Sequence, residues 1–434
     1  MAVSQVPGDQ ATAGAGTAGG RALVSVTFPD GAEALRQRVR RFIARSVIPL
    51  EQEAFVSGVD DALRVRLQDA ARAAGVLAPQ APADFGGGGA DFPTTALLLE
   101  EAGYSPLGPL ATNCAAPDEG NMHLLAMVGS AGQKERYLRP LAAGQVRSSF
   151  AMTEPAPGAG SDPAALRSTA RRADGGWVLN GDKHFITGAD GAGFAIVMAR
   201  AQEPGAPEGP GAHGRSGPPE RPGAPGGATM FLVDADNPGW QVGDRMRTID
   251  AGTVGGHCHV RLRDLFVTDE AVLGEAGRGF AYAQVRLVPA RLTHCMRWLG
   301  AAQRAHDVAL RRAAGRQLFG APLGTLGLAQ QLIADNEIEL AASRALLWQT
   351  VAQVAQGTKG TEESSRAKVF ISEATGRIVD RAVQLAGGAG VTEESVIGRI
   401  YADIRAFRIY DGPSEAHRAA IARRAVARIQ RASA

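Results

Sequence analysis

Asp411 stands in the run Tyr410-Asp411-Gly412-Pro413, directly before the periodic segment Ser414 to Gln430. A carboxylate at the mouth of a helix is held in its charged form by the helix dipole, which suits it to accept a proton. The same placement suits a turn or capping aspartate, so position alone leaves both roles open. His257-Cys258-His259 puts two imidazoles on one face of a strand with the thiol turned away. With no third ligand evident, ordinary strand residues are a simpler reading than a metal site. His294 falls on a helical pattern and reads as a packing histidine rather than a base. Cys114, Cys258 and Cys295 are odd in number and far apart, so they define neither a disulfide framework nor a paired metal motif. No G-x-S-x-G elbow is present. The glycine runs at 86–89, 274–279 and 387–390 lack the strand and helix that must flank a dinucleotide fingerprint. Carboxylate chemistry is what remains.

The elements around these residues follow from periodicity. Leu35, Val39, Phe42 and Ile43 recur at helical spacing, and further helices are expected over 62–74, 94–102 and 120–128. From Ser148 to about Asp269 short β-rich runs alternate with glycine turns, and Asp174-Gly175-Gly176 and Asn180-Gly181 both read as hairpin signals. After Gly279 the helical period returns in four long stretches, the first interrupted by Pro289, which is expected to divide or kink it. The fold expected is therefore an N-terminal helical domain (23–147), a middle β-barrel-like domain (148–269) and a C-terminal four-helix bundle (270–434). Residues 1–22, rich in Gly and Ala, read as a disordered tail, and the Pro/Gly-rich stretch 202–228 reads as a loop inserted between two strands.

Composition narrows the function further. The 434 residues are 45% hydrophobic and 21% charged with a net charge of +2, so neither nucleic acid nor an acidic membrane surface is implied as a partner. The basic residues are nearly all arginine; lysine occurs only at 134, 183, 359 and 368. No stretch reaches the roughly 18 apolar residues of a membrane span, and the N-terminus has no secretory pattern. The cytoplasm is the default location.

Five ordered stretches carry a resemblance. Met152-Thr153-Glu154-Pro155 through Gly158-Ala159-Gly160-Ser161-Asp162 resembles the TEPGAGSD signature of acyl-CoA dehydrogenases. Asn180-Gly181-Asp182-Lys183 with Phe185-Ile186-Thr187 is similar to their NGxKxWIT motif, and Arg316-Gln317-Leu318-Phe319-Gly320 to RxxFG. Gln384 to Val391 resembles QxxGGxGV, and Tyr410-Asp411-Gly412 occupies the place of YEG. The stretches Asn113 to Met122 and His294 to Arg297, with Asp-Gly-Pro in place of Glu-Gly-Thr, look like the acyl-CoA dehydrogenase 10/11-like branch.

The resemblance implies FAD bound between the β domain and the bundle. Met152 and Thr153 would face the pyrimidine end of the flavin, Thr187 the nitrogen that receives hydride, and Phe185 the side of the ring. Ser161 would lie near the phosphate or acyl-CoA region, and Arg291 on the substrate side. Arg316, Phe319, Gln384, Gly387 and Gly388 would reach the ADP half of FAD in a neighbouring subunit, which implies a homo-oligomer, dimer or tetramer. The implied reaction is α,β-dehydrogenation of an acyl-CoA: Asp411 takes the α-proton, hydride passes to flavin, and a trans-2-enoyl-CoA results. An electron-transfer flavoprotein or a similar acceptor would reoxidise the cofactor. Aspartate is one methylene shorter than the family's glutamate, about 1.5 Å less in reach, and Ala290 fills the position of the alternative glutamate base. A nitroalkane-oxidase-like flavin oxidase and a non-catalytic or partner-dependent subunit are the competing readings.

Overall fold

The structure is a computed structural model that describes residues 27–202, 227–250 and 252–433. The expected tail at 1–22 and all but the ends of the 202–228 loop lie outside these residues. The principal N-terminal helices are α1 (Ala32–Phe42), α2 (Asp61–Ala73), α3 (Phe92–Gly103) and α4 (Asp118–Val128). Local chemistry sets where two of them start. The Asp60 side chain accepts from the Leu63 N–H and Asp91 from the Thr94 N–H, both at 2.8 Å, satisfying amides the helix itself leaves free.

The bundle comprises α5 (Gly279–Gly315), α6 (Gly327–Ala355), α7 (Thr361–Ala386) and α9 (Ser414–Ala432), with α8 (Val396–Ile404) between the last two. Pro289 does not divide α5, which runs unbroken through it. Val288, Ala290, Arg291 and Leu292 around it are all buried, and that packing holds the helix together across the missing hydrogen bond.

The N-terminal helices and the bundle share one apolar core, in which Leu98, Leu99 and Ala102 join Leu292, Leu299, Leu347 and Ile371. Where α3 crosses α5, two glycines make the approach possible. A Cβ on Gly103 would lie 2.0 Å from the Arg297 carbonyl oxygen, and one on Gly300 would lie 2.0 Å from that of Glu100. The helices therefore meet backbone to backbone, which fixes α5 and everything it carries against the N-terminal unit.

Seven strands form the middle sheet: β1 (Ser148–Ala151), β2 (Thr169–Ala173), β3 (Gly176–Thr187), β4 (Phe194–Gln202), β5 (Ala228–Asp234), β6 (Trp240–Arg245) and β7 (His257–Thr268). Their order is β1-β4-β2-β3-β7-β6, with β5 on the other side of β4. β4 and β5 are antiparallel partners from Phe194 opposite Asp234 to Arg200 opposite Ala228, so the Pro/Gly-rich stretch joins two adjacent strands.

Asp174-Gly175 forms the turn joining β2 to β3, but Asn180-Gly181 does not form a turn. Both residues lie within β3 at a break in register against β7, where Asn180 Oδ1 accepts from the Asp264 N–H at 2.9 Å. The physical reason for glycine is proximity: a Cβ at 181 would stand 2.3 Å from Ser168 Oγ. The motif marks a bulge pressed against a neighbouring segment.

Candidate active site

Asp411 and Gly412 both adopt positive φ, 54° and 98°. Glycine tolerates this without cost and aspartate better than most residues. Two cations and one imidazole surround the turn. The Asp411 carbonyl accepts from Arg291 Nε at 3.2 Å and from His417 Nε2 at 3.1 Å, and the Gly412 carbonyl accepts from Lys368 Nζ at 2.7 Å. Gly412 has no room for a side chain, since a Cβ there would lie 2.7 Å from His417 Nε2. Because His417 Nε2 donates to a carbonyl, its Nδ1 is the acceptor for the Ser365 hydroxyl at 3.1 Å. Three donors from three helices thus hold a strained turn in one conformation.

The carboxylate does not cap α9, whose start lacks any side-chain capping bond. It turns inward. Oδ2 is buried with no hydrogen-bond partner and lies 3.4 Å from Nε2 of His294. Arg297 donates to Nδ1 of His294 at 3.1 Å, which places the imidazole proton on Nε2, the atom facing Asp411. Burial, followed by the charges of Arg297, Arg286 and Lys368, drives the His294 pKa well below its usual value, so the ring is neutral. Burial likewise pulls Lys368 down to about 8. The Asp411 N–H has no acceptor among the described residues.

Behind this turn lies a polar layer. Arg286 donates to Asn121 Oδ1 at 2.9 Å, Asn121 Nδ2 donates to Ser148 Oγ at 2.9 Å, and Thr293 Oγ1 donates to Glu119 Oε2 at 2.9 Å. The layer ties α4, α5 and β1 together around the carboxylate.

On the β side, two of the sequence motifs are joined by a buried ion pair. Lys183 Nζ lies 2.9 Å from Glu154 Oε1, with both side chains almost fully enclosed, and donates to the Met198 carbonyl at 2.7 Å. Glu154 also accepts from the backbone N–H groups of Arg167 and Ser168 at 2.7 and 2.9 Å, closing the 154–168 loop. The His184 N–H donates to the Thr153 carbonyl at 2.9 Å, so Met152 and Thr153 lie beside Phe185 and Thr187. Phe185, also at positive φ, presents its ring outward with 54% exposure. Thr187 Oγ1 lies 3.0 Å from His257 Nδ1, and His257 Nε2 lies 3.1 Å from Asp250 Oδ2. His257 is therefore more than an ordinary strand residue: it is the middle of a three-residue chain. The loop after Asp250 reaches the bundle, where a Cβ on Gly252 would stand 3.3 Å from side-chain atoms of Arg399 and Asp403 on α8.

Ser161 is exposed at the tip of the 154–168 loop. Arg316, Phe319, Gln384, Gly387 and Gly388 are exposed at the far ends of α5 and α7, and no hydrogen bond or ion pair among the described residues joins them to the Asp411 turn. Phe319 is 96% exposed at positive φ, and a Cβ at Gly387 or Gly388 would meet nothing within 4 Å. Outward phenyl rings at 185 and 319 and open glycine backbone at 387 and 388 fit a large planar group laid against the surface better than solvent.

Three family matches run along the chain in order: acyl-CoA dehydrogenase N-terminal domain at residues 29–145, middle domain at 149–265 and C-terminal domain at 277–426. The chain belongs to the acyl-CoA dehydrogenase family. It is 37% identical over 338 residues to FadE2 of Mycobacterium tuberculosis, which bears an acyl-CoA dehydrogenase name, covering 76% of this chain and 78% of that one. It is 34% identical to acyl-CoA dehydrogenase family member 11 of Gallus gallus, over 76% of this chain and 41% of that longer protein. A Mycobacterium abscessus structure of the same family name matches with a TM-score of 0.81 at 31% identity, covering 93% of this chain and 100% of that one. The fold is also that of PigA solved with FAD, with a TM-score of 0.77 at 23% identity over 93% of this chain and 100% of that one. This family-10/11-like chain is thus a flavin-dependent oxidoreductase acting on CH–CH groups. No helix of its described residues is long and apolar enough to cross a membrane.

Several residues of the site carried no motif. Lys368 had one signal, as a lysine kept in a chain that otherwise uses arginine; Lys183, the other buried lysine, shares it. Glu119 and Asn121 lie in the stretch that pointed to the 10/11-like branch, but nothing in its pattern says that they contact α5 and β1. Nothing in the sequence marks Asp250 as the partner of His257.

Proposed function

We propose that the protein catalyses α,β-dehydrogenation of an acyl-CoA thioester, with Asp411 as the base. The observation that carries this reading is the Asp411 carboxylate, whose buried Oδ2 has no hydrogen-bond partner and faces a neutral imidazole. FAD, when bound, supplies the acceptor for the β-hydrogen as hydride. Asp411 removes the α-proton, and its own N–H is left to donate to the thioester oxygen as enolate charge develops. Arg286, Arg291 and Lys368 place positive charge around the Asp411 turn. Met152, Thr153, Phe185 and Thr187 line the flavin. Ser161 meets the phosphate or acyl-CoA end, with Arg291 on the substrate side of the Asp411 turn. Arg316, Phe319, Gln384, Gly387 and Gly388 hold the ADP half of a neighbouring subunit's FAD, so the working form is a homo-oligomer. An electron-transfer flavoprotein or similar protein takes the electrons onward.

The test is anaerobic mixing of FAD-loaded protein with a panel of acyl-CoAs while flavin absorbance is followed. Bleaching by at least one acyl-CoA in the wild type and none with Asp411→Asn supports the reading. Retention of yellow flavin with every acyl-CoA, alongside oxygen uptake with a nitroalkane, overturns it in favour of an oxidase.

A further inference from the structure

The chain Thr187–His257–Asp250 lies at the edge of the sheet that faces the bundle, and the proposed mechanism does not use its last two members. Thr187 and His257 are direct cross-strand partners at the ends of β3 and β7, so the sheet register itself sets their contact. Asp250 reaches His257 from the β6–β7 connection. The imidazole and the carboxylate are both mostly enclosed, with side chains 16% and 19% exposed.

The direction of each bond follows from chemistry. Burial raises the Asp250 carboxyl, but its hydrogen bonds, that from His257 first, leave its pKa lowered. An ionised carboxylate only accepts, so His257 carries its proton on Nε2. In the neutral ring Nδ1 is then an acceptor, and the only proton available at 3.0 Å is that of the Thr187 hydroxyl. With its O–H committed to the histidine, Thr187 offers only lone pairs on its other side.

We infer that His257 and Asp250 are positioning residues that turn the Thr187 hydroxyl into a hydrogen-bond acceptor toward FAD, biasing the bound cofactor toward its reduced form. This inference rests on the placement of Thr187 beside the flavin proposed above. The ring nitrogen facing Thr187 is an acceptor in oxidised FAD and bears an N–H once reduced. A threonine that can only accept meets the reduced ring with a hydrogen bond and the oxidised ring with two opposed lone pairs. The imidazole thus acts through Thr187 without touching the cofactor, and the carboxylate acts by fixing the tautomer.

The variants Asp250→Asn and Thr187→Val separate the possibilities. An asparagine amide can donate to Nε2, which moves the ring proton to Nδ1 and turns the Thr187 hydroxyl outward as a donor. Redox titration of the FAD-loaded proteins against a dye is the measurement. Asp250→Asn should raise the oxidised-to-reduced ratio at a fixed dye potential by about tenfold, equivalent to a fall of about 30 mV for a two-electron couple. Thr187→Val, which removes both roles, should fall between it and the wild type. If Asp250→Asn retains FAD and titrates with the wild type while Thr187→Val shifts, the inference is overturned and the placement of Thr187 stands. If Thr187→Val changes neither the potential nor the flavin spectrum, the placement itself has failed, and the inference with it. Should Asp250→Asn fail to fold, ¹⁵N NMR of the wild-type His257 ring decides. A proton on Nε2 supports the inference, and a proton on Nδ1 overturns it.

Discussion

Nε2 of His294 lies 3.4 Å from Oδ2 of Asp411, with the imidazole held neutral by its surroundings and its proton carried on that nitrogen. The contact leaves the carboxylate oxygen without an aligned hydrogen bond of its own. That is the arrangement a base needs before its substrate arrives: close to a donor, but not committed to it. Replacing Asp411 with Asn should retain FAD and lower the rate of anaerobic flavin reduction by about 10²–10⁴-fold or more. Asp411→Glu extends the side chain by about 1.5 Å toward His294, and a misplacement of that size should cost on the order of a hundredfold. Stopped-flow absorbance of the flavin band checks both. A glutamate variant faster than wild type would mean that the turn is not built around the shorter side chain.

Lys183 and Glu154 make a second pairing whose removal has a clear sign. Their ion pair is enclosed on all sides, and Glu154 also holds the 154–168 loop through two backbone amides. Lys183→Met leaves the carboxylate buried and uncompensated, which should cost about 3–5 kcal/mol of stability. Glu154→Gln should cost a similar amount through the stranded ammonium, and the double variant less than the sum of the two. Urea unfolding of the three variants measures this, and strict additivity would show that the pair does not act as a unit.

The order of helices, sheet and bundle could be read from periodicity because each element hides one regular face, and the family could be read because its motifs are local runs. What could not be read was whatever depends on two distant segments meeting. Asn180-Gly181 looks like a hairpin turn until Ser168 arrives beside it, and the need for glycine at 103 and 300 exists only because α3 and α5 cross there. Pro289 failed to break α5 because tertiary packing outweighed its local preference. Asp411 was legible as a carboxylate before a helix. That it faces His294 instead of capping that helix depends on Arg291, Lys368 and His417, which lie on three different helices.

Phe319 gives a prediction about assembly. A phenyl ring that is 96% exposed is left without packing among the described residues. Phe319→Asp should leave the helical content unchanged while weakening both FAD retention and oligomer formation. Light scattering after size exclusion, with the flavin-to-protein ratio taken across the same peak, reads both effects. A variant that stays fully loaded and of wild-type mass would exclude Phe319 from a shared site.

The two histidines beside Asp411 make the fold sensitive to acid, in a direction that can be worked out. Burial, then the charge of Arg291 and its neighbours, holds His417 down to about 4 from an ordinary value of 6.5, and His294 lies well below that ordinary value too. A base with a lowered pKa in the folded chain binds its proton more readily once the chain unfolds. Unfolding therefore takes up protons between about pH 6.5 and 4, and stability falls as pH falls through that window. Above it both rings are neutral in either state and contribute no slope. His417→Gln keeps an N–H for the Asp411 carbonyl but cannot titrate, so its stability should fall less steeply than that of the wild type over the same window. Urea midpoints at about pH 7, 5.5 and 4.5 give the comparison, with the other acidic groups common to both proteins. Parallel curves would mean that His417 takes its proton in the folded chain as easily as in water, and that the cations around the Asp411 turn do not act on it.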